Sequence, residues 1–305
     1  MRSGVAAPSG AWALVLASLL WGTTGTAASF LPDDVSPLAI GASTMGVGGV
    51  LLFATAWRTS WAAIADPRIR RWLVLGAVGV IVYPLAFYLS MDLAGVAIGN
   101  VVSLGTGPVF AALLEWVFER SRLSVLWAVC TAIAITGAAL LAFGGHGAAA
   151  DRAGGALVPG IAAGALAGLA YALYTYASSR AIRAGAPSRA AMGGMFGLGA
   201  LGLIPVLLVL GGPLLQSPSS IGIAGYLALG PMFLAYVLFG IGMRTLRSTT
   251  ATTITLLEPV VATVLAVVVV GERLDPAAWA GLALILLSVT VLATARRPSS
   301  AESAP

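Results

Sequence analysis

Ten stretches of about twenty apolar residues follow one another along the chain, and no soluble core could hide them all. They lie at roughly 11 to 31, 37 to 57, 72 to 92, 95 to 118, 123 to 143, 157 to 179, 188 to 212, 220 to 243, 247 to 270 and 276 to 295. Each is long enough for a helix through about 30 Å of hydrocarbon. Charged residues make up only 9% of the 305, against about 25% in soluble domains. The sequence therefore predicts an all-α integral membrane protein with ten transmembrane helices. Arg2 before the first stretch and Ala27, Ala28 and Ser29 after it imitate a signal peptide. Its length, and a counterpart later in the chain, argue for a retained helix.

The formal net charge is +5, yet the arginines that supply it do not form a nucleic-acid surface. Nearly all sit between apolar runs, where they report membrane orientation. With the N-terminus in the cytoplasm of an inner (plasma) membrane, Arg152 and Arg273 fall outside and the other arginines inside, which makes both termini cytoplasmic. There is no lysine, so neither a Walker-type phosphate loop nor a Schiff base can form. One cysteine, Cys130, and one histidine, His146, are too few for a disulfide, a zinc cluster or a Cys-His nucleophile. No metal or cofactor is expected, and no nucleic-acid partner.

The stretch FGGHGAAADRAGGALV, from Phe143 to Val158, has linker composition and separates two sets of five spans. These are assigned as residues 1–145, a first five-helix repeat, and 156–305, a second with a short cytoplasmic tail. Pro37 and Met45 recur 150 residues later as Pro187 and Met195, and Trp21 falls opposite Tyr171 at the same offset. Pro108 matches Pro259 at an offset of 151, and Pro84 matches Pro231 at 147. Because five is odd, the second set enters the membrane from the opposite side, giving an inverted repeat.

Inverted repeats let two halves exchange roles around a site near the midplane, and helix-breaking residues at matching depths point to that site. Pro84, Gly107, Pro108, Pro231 and Pro259 are the candidates for breaks and gating. Glu258 lies about 18 Å along its span at 1.5 Å per residue, near the midplane. A charge there is costly, so the side chain should face the interior. Two roles remain open for it: carrying a coupling proton, or bonding as a neutral carboxyl to a carbonyl freed by Pro259. Glu115, near a cytoplasmic end, can snorkel. Thr252 and Thr255 share a stripe of the ninth span, and Asn100, Ser103 and Gly107 a stripe of the fourth. With Trp21, Thr24, Tyr83, Tyr171 and Tyr236 these residues can line a wet, aromatic-walled cavity. No arginine lies at that depth, so a doubly charged anion has no partner there. Gly160, Gly164 and Gly168 allow close helix packing, inside the bundle or between protomers, which leaves a homodimer open.

Two segments, SLGTGPVFAALLEWVFERSRLS from Ser103 and TLLEPVVATVLAVVVVGERL from Thr255, resemble the matching repeat ends of EamA-type transporters in the drug/metabolite transporter superfamily. The first ends in FERSRL where a GERL-like ending is usual. The likeness extends over residues 11 to 295. It implies ten helices around a central cavity lined mainly by helices 1, 3, 4, 6, 8 and 9, in contact with membrane lipid and a small-molecule substrate. It further implies efflux of amino acids, related metabolites or drugs by secondary transport. A multidrug exporter is the alternative within transport. A membrane enzyme would need clustered nucleophiles, histidines or paired carboxylates at one depth, and a scaffold would need no polar stripe.

The arginine pattern makes a topological prediction. A membrane-impermeant thiol reagent should label a cysteine placed near Asp151 in intact cells and leave one at Ser299 unmodified. Labelling at Ser299 from outside would invert the topology.

Overall fold

The computed structural model describes residues 10–28, 30–32, 34–94, 96–120, 123–144, 157–270 and 276–294. His146, Arg122, Arg152, Arg273, the GERL tetrad at 271–274, most of the 143–158 linker and both chain ends lie outside them. Among the described residues the secondary structure is helical, with no strand. The principal helices are α1 Gly10–Ala28, α2 Pro37–Thr55, α3 Pro67–Ala94, α4 Val96–Glu119 and α5 Val125–Gly144 in the first half. The second half contains α6 Leu157–Arg183, α7 Ser188–Leu210, α8 Pro218–Gly242, α9 Ser248–Val269 and α10 Pro276–Thr294.

Seven of these are long and apolar enough to cross a membrane. The apolar parts of α5 and α10, Val125–Leu140 and Pro276–Leu292, are shorter, and α4 carries Asn100, Ser103 and Thr106 in its first half. A short helix at Trp57–Ala65, which the apolar runs do not announce, follows α2 at the arginine-rich end. Trp57 and Trp61 are exposed on it, and the Arg58 guanidinium lies 5.3 Å from the Trp57 ring centre. This is an arrangement suited to the headgroup layer.

Packing between the halves follows a rule. Helices α2 and α7, α4 and α9, and α5 and α10 pair with one another. The contacts of α3 with α6 and α7 are mirrored by those of α8 with α1 and α2, and α4 on α6 by α9 on α1. Exchanging each helix with the one five places on leaves this set unchanged, as a pseudo-two-fold relation requires. The mirrored contacts are unequal, however: α6 packs far more extensively on α3 and α4 than α1 does on α8 and α9.

Glycine explains the tight side. Gly160 lies against Ala94, Gly164 against Ser90 and Val102, and Gly168 against Ser103 and Thr106. Ser90 Oγ donates to the Gly160 carbonyl at 2.8 Å across this seam. The glycine stripe is thus covered inside the chain by α3 and α4. Cys130 is buried between α5 and α10, where the Ser288 hydroxyl donates to its carbonyl at 2.5 Å.

A Cβ at Gly160 would stand 2.7 Å from the Ala94 nitrogen, and one at Gly168 would stand 2.8 Å from the Ser103 carbonyl oxygen. Backbone cannot give way as a flexible side chain can. Gly160→Val and Gly168→Val should each lower unfolding stability by about 1 to 3 kcal/mol. Gly225→Ala, where no atom lies within 4 Å of the new Cβ, should be neutral or slightly stabilising; thermal unfolding in detergent distinguishes the two outcomes.

Candidate functional site

The local chemistry of α9 begins with Pro259, which has no N–H to offer the carbonyl four residues back, that of Thr255. The chain answers by tightening into a 3-10 turn over Thr255–Leu257, and the Glu258 N–H donates to the Thr255 carbonyl instead. A new helical segment starts at Glu258. The backbone therefore satisfies this carbonyl itself. Among the described residues no hydrogen bond or ion pair reaches the Glu258 carboxylate. A comparable departure occurs around Pro231, where α8 widens to π winding over Ala228–Leu234. Pro84 and Pro108, the counterparts in the first half, sit inside helices that continue through them.

Glu258 and Pro231 face a common cavity. Water centres have about 90 Å³ in it, several times the roughly 10 to 15 Å³ that one water needs. Trp21, Thr24, Tyr83, Tyr171, Tyr236 and Glu258 stand in its wall, with Pro84 and Pro231. Helix α2, absent from the expected set, contributes Gly41, Thr44 and Met45, while α4 contributes only Leu104. Phe87, Tyr88, Tyr174 and Met232 complete the wall. Trp21 and Tyr236 lie 5.1 Å apart between ring centres, Tyr83 and Tyr171 5.8 Å, and Tyr171 and Tyr174 5.3 Å, so the rings form a continuous lining. Gly41 makes room for this lining, since a Cβ there would stand 2.7 Å from the Tyr88 ring.

Other expected residues lie beside the cavity and not in it. Thr255 accepts from the Tyr171 hydroxyl at 2.5 Å and donates to the Thr252 carbonyl at 3.0 Å. Thr252 donates to the Ser248 carbonyl at 2.9 Å. Gly107 is overlain by the Tyr171 ring, with 2.9 Å from a Cβ built there to Cδ1. Asn100 Oδ1 and Ser103 Oγ are buried on α4 with no partner among the described residues. Pro108 is buried within α4, and Pro259 follows Glu258 in the restarted segment.

The two ends of the bundle differ. Towards the Thr24 end the cavity's Thr24, Phe87, Tyr88 and Glu258 keep part of their surface accessible, whereas Tyr171, Tyr174 and Tyr236 are buried. Tyr174 and Tyr236 share a 2.8 Å hydrogen bond between hydroxyls. Beyond them, at the arginine-rich end, Glu115 is fully buried and does not snorkel. It bonds Arg247 and accepts from the Ser248 hydroxyl at 2.5 Å and the Thr249 N–H at 3.1 Å, tying α4 to the start of α9. Glu119, the last residue of α4, pairs with Arg180 and Arg183 of α6 at 3.2 and 3.0 Å.

Comparison with known proteins agrees with this architecture. An uncharacterized transporter, YwfM of Bacillus subtilis (strain 168), is 31% identical over 296 residues, covering 95% of this chain and 96% of its own. A solved crystal structure shares the fold, with a TM-score of 0.75 and 24% identity over 93% of this chain and 96% of the other. Residues 8–143 and 158–294 each match the EamA-like transporter family. Two tandem matches, a helical membrane fold with mirrored packing and a cavity between the halves make this chain a multi-pass membrane protein of the EamA-like transporter family.

Proposed function

We propose that the protein is a secondary transporter that exports small neutral, zwitterionic or cationic metabolites of amino-acid-like size by alternating access. The observation that carries this reading is the cavity itself. It lies between the halves at the depth of Glu258, with lining more accessible towards Thr24 and buried towards the arginines. On the topology that the arginines predict, both termini cytoplasmic in the inner membrane, the sealed end faces the cytoplasm, which supports reading this arrangement as outward-facing. The breadth of the aromatic wall favours a second reading, multidrug export, because ring faces accept many apolar bodies.

Glu258 is assigned the coupling proton. Its charged form is tolerated when water reaches the cavity and disfavoured when the cavity is dry, so protonation and access are linked. Glu258→Gln keeps the shape and hydrogen bonding of the neutral carboxyl and removes titration. In proteoliposomes this variant should lose gradient-driven accumulation while retaining counterflow exchange. Uphill transport at the wild-type rate would sink the assignment.

Glu115 is assigned to the cytoplasmic gate, since it holds the start of α9 against α4. Glu115→Ala should cost about 1 to 3 kcal/mol of closure, because the donors it satisfies lose a charged acceptor. A loss near 1.4 kcal/mol raises the open fraction about tenfold. With Cys130 replaced by alanine and a cysteine placed at buried Thr252, labelling from the cytoplasmic side should accelerate by at least about fivefold. Unchanged labelling would remove Glu115 from the gate.

A further inference from the structure

Resting on the reading of the cavity as the substrate site, we infer that its preferred ligand is an organic ammonium ion with an apolar, preferably aromatic, body. The Glu258 carboxylate would hold the charge and the surrounding rings the body. The argument begins with what the wall lacks. A carboxylate at this depth needs a compensating charge, and among the described residues no arginine stands in the cavity wall. Neither a hydrogen bond nor an ion pair from the described residues satisfies the carboxylate, and the carbonyl that Pro259 leaves behind is taken by backbone. The described residues leave that place to a partner from outside, a proton or a cationic ligand.

The rest of the wall favours the cation. Trp21, Tyr83, Phe87, Tyr171, Tyr174 and Tyr236 present ring faces and edges, and ring faces attract ammonium groups. Trp21 shares the cavity wall with Glu258, and its neighbour Gly22 packs against the Glu258 backbone, where a Cβ would lie 3.0 Å from the carbonyl oxygen. Among the described lining residues no donor for an anionic group is charged. The Tyr171 hydroxyl is committed to Thr255, and those of Tyr174 and Tyr236 to each other. What the wall leaves over for an anion, the hydroxyls of Thr24, Thr44, Tyr83 and Tyr88 and the Trp21 indole N–H, is neutral. A carboxylate on the ligand would therefore be desolvated without a counter-charge, which ranks zwitterions below simple amines.

Four probes that share a phenyl ring test this with the purified, detergent-solubilised protein by titration calorimetry. They are 2-phenylethylamine, 2-phenylethanol, phenylalanine and 3-phenylpropanoate. The amine should bind roughly tenfold or more tightly than the alcohol, a difference expected from one ion pair with ring contacts. Phenylalanine should bind no better than the alcohol, and the propanoate least. Glu258→Gln should bring the amine to within about threefold of the alcohol. The inference is overturned if wild-type protein does not bind the amine, fails to discriminate it from the alcohol, or prefers phenylalanine. It is also overturned if the glutamine variant, monodisperse by size exclusion, discriminates as wild type does. Should that variant not fold, the wild-type comparison alone decides. Counterflow in proteoliposomes separates the two readings. Transport without amine preference removes the ligand class and leaves the transporter, whereas amine-selective binding without transport of any probe does the reverse.

Discussion

Inside hydrocarbon every backbone polar group must find its partner within the protein, so a helical membrane protein can expose a polar site only where it also solves that problem locally. Two places in this chain show the solution. At Pro231, α8 widens to π winding; at Thr255–Leu257, α9 tightens to a 3-10 turn and Glu258 itself bonds the carbonyl that Pro259 cannot. Both departures border the cavity. Their first-half counterparts, Pro84 and Pro108, sit in uninterrupted helices. The two halves thus share a contact pattern, though not its extent, and differ in chemistry. The first half brings the rings of Tyr83, Phe87 and Tyr88 on an uninterrupted helix and Trp21 just before a break at Thr23, and the second brings the proline-linked irregular backbone and, among the described lining residues, the one carboxylate.

That division explains what could be read without coordinates. Membrane class and helix positions were legible because apolar length and arginine placement answer to the bilayer, a solvent that imposes one period and one thickness. Glu258, Trp21, Tyr83, Tyr171 and Tyr236 stood out because a polar or bulky amphipathic group in mid-span is costly or rare. Thr252 and Thr255 stood out for the same reason but answer a different demand. Their hydroxyls donate back to helix carbonyls, a local outlet that spacing alone cannot tell from a ligand contact. Tyr88, Phe87, Met232 and Thr44 carried no distinguishing pattern. Tyr174 did: it lies 150 residues after Thr24, the offset that pairs Trp21 with Tyr171. Applied to every candidate, the repeat offset would have placed it beside the cavity. The contribution of α2 was hidden because Gly41 and Met45 look like packing residues until Tyr88 is seen to need the space.

The same offset accounts for which end of the bundle is shut. Glu115 closes the arginine-rich end by accepting from the N-terminal donors of α9, where the helix dipole also favours a negative charge. Moved by the 151 residues that relate Pro108 to Pro259, position 115 becomes Ala266, and the partners Arg247, Ser248 and Thr249 become Val96, Ala97 and Ile98. None of the four counterparts has a side chain that can make a charged hydrogen bond. An equivalent clasp at the opposite end therefore cannot form from these positions. On the proposed alternating-access reading, two states that would be degenerate in a perfect repeat are separated by this cluster. The fuller packing of α6 on α3 and α4, compared with α1 on α8 and α9, is the geometric face of that asymmetry. On that same reading, a ligand or proton that reverses the bias would have to supply at Glu258 what is lost when the Glu115 cluster opens, because binding shifts a conformational equilibrium only by its difference in affinity for the two states.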